Sequence, residues 1–186
     1  MKATKFFFVF FTIAFFSSAH SLAAESWKDL NSQVISLYQQ DKVDSAIPIA
    51  RSALSLAQQQ YGPESPESAL SLNNLALLYK KNQQYEEAKG YYERSLSIAE
   101  KIAGPTHPDV TVALNNLALL YEAQGNYAQA EGYTSRALNI LESHYGPNHP
   151  QVAAALERAA ALKRKAGKIE EAKTLEGRAQ TIRAGQ

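Results

Sequence analysis

The chain repeats itself every 42 residues. Ala46, Ala88, Ala130 and Ala172 are spaced at that interval, and so are Gly62, Gly104 and Gly146, each followed by a proline (Pro63, Pro105, Pro147). The two central copies share the string LNNLALLY, at Leu72–Tyr79 and Leu114–Tyr121. A period in this range means a stack of like supersecondary units, each too small to bury its own apolar face. Such stacks offer a long surface for binding and no reaction centre.

One copy shows what the unit is. Ser65-Pro66-Glu67 is a helix start: a capping residue, a proline where no N–H is needed and an acid in the first turn. His107-Pro108-Asp109 and His149-Pro150-Gln151 fill the same places. Leu72, Leu75, Ala76, Leu78 and Tyr79 then recur at three- and four-residue spacing, which predicts an amphipathic helix, helix A. Lys81 to Gln84 is a polar turn whose counterparts contain Gly125 and Gly167. Tyr85, Ala88, Tyr92, Ser95, Leu96 and Ala99 mark a second helix, B, which Gly104-Pro105 ends. Ala76 and Ala88 stand where the two helices approach closely, and tyrosines fill the wider gaps with a hydroxyl kept for a polar edge.

The outer copies differ. The first places Pro48 in the expected first turn of its helix B. The last has Lys163 where Tyr79 and Tyr121 stood and Gln180 where Leu96 and Leu138 stood, the polar substitutions that a terminal capping unit requires. Four hairpins follow, at about 27–60, 66–102, 108–144 and 150–183, within a domain of residues 24–186.

Residues 1–23 read as an address. Lys2 and Lys5 precede an apolar run, Phe6 to Phe16, and small residues follow up to Ala23. The run is too short to span a bilayer, and the order is that of a secretory signal peptide. All seven Phe lie in this leader. No Cys exists, which excludes a lipid-modified cysteine. The expected location is periplasmic or secreted, from a bacterium, with no stable membrane insertion after cleavage. Loss of Lys2 and Lys5 leaves 17 basic against 18 acidic residues, a net charge of −1, and no general attraction for nucleic acid. Charge is uneven: the stretch from Glu157 onward is locally +4.

Catalytic signatures are missing. There is no cysteine nucleophile, glycine-framed nucleophile turn, phosphate loop or zinc-type histidine pair on a helix. His107 and His149 sit in like connectors and are expected to cap helices; His144 and His149 alone make a poor metal site. No cofactor or metal is expected, and the chain is not read as an enzyme.

The two-helix unit, the small residue Ala76 in mid-helix A and Ala88 at the opening of helix B resemble the tetratricopeptide repeat. The usual length is ~34 residues. At 42, with LNNLALLY and a Gly-Pro-x-His-Pro connector, the copies resemble the longer repeats of the kinesin light chain group, over roughly residues 27–183. The resemblance implies an all-α, right-handed α-solenoid of about four antiparallel hairpins, with the A helices lining a concave groove. It implies a protein or peptide partner in that groove, held by Asn74 and Asn116 on its main chain, with Asn73 and Asn115 next to them. Leu77, Leu119, Lys80, Lys81, Arg158, Arg164 and Lys165 complete the candidate lining, the basic ones suiting an acidic segment. Two structural readings stand beside this: one asparagine of each pair bonds the next repeat's backbone, and the cations serve helix C-termini. A different class of function, self-association into a scaffold without a peptide ligand, also fits, so a homo-oligomer is an alternative.

Overall fold

The computed structural model describes residues 26–185; the leader and its cleavage site lie outside the described residues. Eight helices follow in order: α1 (Trp27–Gln39), α2 (Val43–Tyr61), α3 (Pro66–Lys81), α4 (Tyr85–Ala103), α5 (Val110–Ala123), α6 (Tyr127–Tyr145), α7 (Pro150–Lys165) and α8 (Ile169–Ala184). Among the described residues there is no strand. Each helix packs mainly on its neighbours in the chain, the signature of a one-dimensional stack of four hairpins.

The caps show why the helices start where they do. Ser26 and Asp29 form a reciprocal capping box on α1. The Ser65 hydroxyl accepts the Ser68 N–H at 3.1 Å, and Pro66 opens α3. Nδ1 of His149 accepts the Gln151 N–H at 3.2 Å ahead of α7. The third copy opens differently, and His107 does not cap its helix as expected: Asp109 is the N-cap of α5 and makes no side-chain cap bond. That helix begins at Val110, because residues 107–110 close a tight turn in which Val110 N–H reaches the His107 carbonyl and the Thr111 hydroxyl takes the Pro108 carbonyl. At the hairpin turns Gly125 and Gly167 adopt left-handed backbone, and in the first two hairpins Asp41 and Gln83 hold that conformation instead.

Ala46, Ala88, Ala130 and Ala172, the residues that revealed the period, are fully buried. Ala46 and Ala88 join Ala76, Leu72, Leu75 and Tyr92 in a continuous core over the first three hairpins. The last hairpin packs on a smaller separate cluster: Leu141, Val152, Ala153, Ala155, Leu156, Ala179 and Ile182. Trp27 closes the other end, donating Nε1–H to the Ser71 hydroxyl at 2.8 Å and meeting Tyr61 edge-on.

Two local expectations need correction. Pro48 is the sixth residue of α2, not in its first turn, so the Asp44 carbonyl loses its helical donor there. Lys163 is not part of a solvated outer face. Its side chain is only 20% exposed, and its ammonium pairs with Glu131 of α6 and Glu171 of α8, both at 2.8 Å. Lys168 reaches the same Glu131 carboxylate at 2.9 Å, so ion pairs replace the tyrosine that ties earlier repeats. Gln180 is exposed, as a capping position demands.

Candidate functional site

The first helices of the four hairpins, α1, α3, α5 and α7, share one face, and a single register governs it. The sequence period is 42, but side chains meet across neighbouring hairpins at a separation of 43. Asn74 Nδ2 donates to Asn31 Oδ1 at 2.6 Å. Asn116 Nδ2 donates to Asn73 Oδ1 at 2.6 Å. Lys81 lies 4.6 Å from the centroid of the Tyr38 ring, and Lys165 pairs with Glu122. Each A helix is therefore offset by one residue against the next, and each position of one repeat faces the following position of its neighbour.

This register decides where the expected site residues stand. Asn73, Asn74 and Asn116 are half-buried and tied into rungs between hairpins. The structural reading of these residues is thus close to the observed arrangement, with a side chain in place of the next repeat's backbone. Asn115 has no side-chain hydrogen bond among the described residues, because Arg158 stands at its +43 position where the other rungs have asparagine. Leu77 is half-buried and Leu119 is 41% exposed.

The cations divide in the same way. Lys81 pairs with Asp41 at 2.6 Å, which together with the Tyr38 ring holds its ammonium pKa above the ordinary value. Arg164 makes two hydrogen bonds to the Glu176 carboxylate, at 2.6 and 2.7 Å, and so faces its own hairpin partner α8. Lys165 is held by Glu122. Lys80 and Arg158 form no ion pair among the described residues. Burial pushes the Lys80 ammonium pKa down, with the Glu122 charge opposing that shift. Ala123 stands at the +43 position from Lys80, where a partner would be.

What remains on this face is apolar. Ile35, Leu70, Val112 and Leu119 are large hydrophobics exposed by 41–64%, all on first helices. A pocket of about 200 Å³ between α1 and α3 is lined by Val34, Ile35, Tyr38, Gln39, Asn74, Leu77 and Leu78. The surface is thus two apolar rows, Leu70–Val112 and Ile35–Leu77–Leu119, flanking the asparagine rungs. Sequence reading missed Ile35, Leu70 and Val112, although Leu70 and Val112 are 42 apart and Ile35 precedes Leu77 by the same interval.

A second series also escaped the sequence reading. Arg136 pairs with Glu100 at 2.6 Å and donates to the Pro105 carbonyl at 3.0 Å. Arg178 repeats this with Glu142 and the Pro147 carbonyl. These arginines clamp the second and third Gly-Pro connectors from the following hairpin, and the 42-residue spacing of Arg136 and Arg178 was the available signal. A wider cleft of about 500 Å³ lies beside Arg136, lined by Pro105, Gly132, Ser135 and Asn139.

Among the described residues no three His, Asp or Glu side chains gather as metal ligands. No described helix is long and apolar enough to cross a membrane.

Comparison with known proteins bears on the same repeats. The tetratricopeptide repeat family matches residues 30–101, 67–143 and 109–184, overlapping windows that cover most of the chain. BtubC (BKLC) from P. vanneervenii shares 26% identity and a TM-score of 0.75; the match covers 86% of this chain and 63% of that one, so the chain spans less than two thirds of that relative. A kinesin light chain-type protein of Podosopora anserina, with nearly identical TPR-like repeats, shares 22% identity and a TM-score of 0.72, over 86% of this chain and 75% of that one. A Rap protein solved with competence and sporulation factor gives 20% identity and a TM-score of 0.70, over 85% of this chain and 43% of that one. No curated protein matches the sequence. These overlapping matches place the chain in the tetratricopeptide repeat family, whose repeats point to protein–protein interaction.

Proposed function

We propose that this protein holds a segment of a partner protein on the face of its first helices, chiefly through apolar side chains, and performs no chemistry. The observation that carries this reading is the set of exposed Ile35, Leu70, Val112 and Leu119 on a face where most polar groups already have partners. Isolated exposed hydrophobics need no explanation, but a run in register along one face marks an interaction site. Lys80 and Arg158 add positive charge without an ion-pair partner among the described residues, which suits an acidic residue on the ligand. The Rap protein of like fold was solved with a bound factor, which supports binding as the use of the scaffold.

A photo-reactive side chain at Leu77 or Leu119, set against one at Ser135, tests this in extract. The same adduct from both first-helix positions is expected. Adducts from Ser135 alone would refute the placement.

End-on self-assembly is the less favoured reading. Gln33 and Ser36 of α1 are exposed where Leu75 and Leu78 of α3 are buried, and Gln180 is exposed on α8. Both ends of the stack are polar. A mass in solution independent of concentration is expected.

Export belongs to the same proposal. The charged, apolar, small-residue order of residues 1–23 supports cleavage at or near Ala23 and a periplasmic or secreted product. Intact mass of the exported protein would show the loss of the Phe-rich leader, and a full-length chain in the membrane fraction would reverse it.

A further inference from the structure

The fourth hairpin is opened by an imidazole where the second is opened by a hydroxyl, and a further imidazole, His107, lies in the turn ahead of the third. Ser65 accepts an N–H with an oxygen whose state does not change with pH. His149 accepts the Gln151 N–H with Nδ1, and only neutral imidazole has a lone pair there. His107 accepts the Asp109 N–H at 3.3 Å in the same way. Imidazole is the one side chain that ordinarily changes charge in mildly acidic water. A protonated ring at either position is a donor facing a donor, at the positive end of a helix.

The surroundings of the two rings differ. His107 has the Asp109 carboxylate 3.4 Å from Nδ1, so a charged ring there exchanges a hydrogen bond within the turn for an ion pair. The His144 ring of α6 lies 5.9 Å away and opposes that gain when charged. Among the described residues no carboxylate forms an ion pair with His149. From α6, Tyr145 stacks on it at 4.5 Å. From α8, the Arg178 guanidinium, itself paired with Glu142, lies on the Pro147 carbonyl of the same connector. The hairpin that His149 opens is also the one with its own small core.

We infer that His149 makes the last hairpin an acid-sensitive unit: protonation uncaps α7 and loosens α7–α8 while the first three hairpins stay packed. The loosened hairpin carries Arg158, so the binding face shortens from its basic end as pH falls. This goes beyond the proposed binding role and does not depend on the partner.

Amide hydrogen exchange tests it on the protein comprising residues 24–186, corrected for intrinsic rates, at pH 7.5 and 5.5. Protection in the first turns of α7 is expected to fall about fivefold relative to α3, the change that loss of one cap gives. In His149→Ser and His149→Asn, whose caps do not titrate, that relative fall should vanish. A wild-type ratio constant within twofold across this range overturns the inference. An undiminished fall in both variants overturns it too, because the proton then acts elsewhere. Circular dichroism at pH 7.5 confirms that the variants fold, and two cap chemistries guard against one failing.

Discussion

Asn116→Ala removes the donor of the rung between α3 and α5 and leaves Asn73 Oδ1 without its 2.6 Å partner. Both residues are half-buried, so water reaches the orphaned carbonyl in part, and the cost should lie in the range of an ordinary net hydrogen bond, about 0.5–1.5 kcal/mol. For a small domain, urea lowers stability by about 1–3 kcal/mol per molar, so a loss near 1 kcal/mol moves the midpoint down by roughly 0.3–1 M. Asn73→Ala should cost a similar amount for the same bond, and the double variant should cost less than the two together by about 0.5–1 kcal/mol. Asn115→Ala is the control. Its side chain has no partner among the described residues, and its midpoint should shift by no more than ~0.5 kcal/mol equivalent. Strict additivity at positions 73 and 116, or a loss at 115 as large as at 116, would show that the asparagines do not work as paired rungs. In a stack held by nearest-neighbour contacts, a weakened rung should also broaden the transition, because the hairpins on either side of it uncouple.

Gly90 and Gly132 sit inside α4 and α6 with no heavy atom within 4 Å of an added Cβ, so Gly→Ala at each should raise stability by about 0.5–1 kcal/mol; an unchanged or lowered melting temperature would refute this. The Tyr92 hydroxyl is buried without a hydrogen-bond partner, and burial pushes its pKa up, so Tyr92→Phe should leave stability unchanged or raise it by about 1 kcal/mol, and a clear loss in urea would reveal a partner. Ala88→Leu and Ala130→Leu should each cost about 1–3 kcal/mol by overpacking, since both are fully buried, and unaltered urea midpoints would mean that the hairpin crossing lies elsewhere. Burial is the largest influence on the Glu131 carboxyl and raises its pKa, but Lys163 and Lys168 together outweigh it and hold the pKa below the ordinary value. Its contribution is therefore complete above the ordinary carboxylate range and is lost as pH falls through the lower folded value. Glu131→Gln should abolish that acid-side loss at α6–α7, and a titration curve identical to wild type would refute the pairing.

The hairpins were legible because their signals are local and repeated. Alanine at the crossing, Gly-Pro at the end of each second helix and proline at the first turn act within a few residues, and the period multiplied each of them. Pro48 was assigned to the first turn because it lies two residues past the crossing alanine Ala46, although a helix that starts at Val43 makes it the sixth residue. Lys163 was misread because a lysine replacing a tyrosine looks like a surface substitution until Glu131, 32 residues earlier, is known to face it. The asparagines show the deeper limit. Their recurrence identified a shared position on helix A, but whether they meet a ligand or one another depends on how far each hairpin slides against the next.

That slide turns a sequence repeat into a surface. With an offset of one residue, the pair Asn73-Asn74 cannot point both amides outward: the first accepts from the following repeat and the second donates to the preceding one. The string LNNLALLY is then what two successive rungs require, and its persistence in the two central copies follows from packing. The same offset leaves position 77 and its counterparts Ile35 and Leu119 without a facing polar group, so these become the exposed apolar row. At the last hairpin Arg158 replaces the rung donor and Ala161 replaces the apolar residue, and both are exposed. Rung and row end together, between α5 and α7. The apolar part of the proposed binding face therefore spans three hairpins, while the fourth contributes charge and carries the imidazole cap.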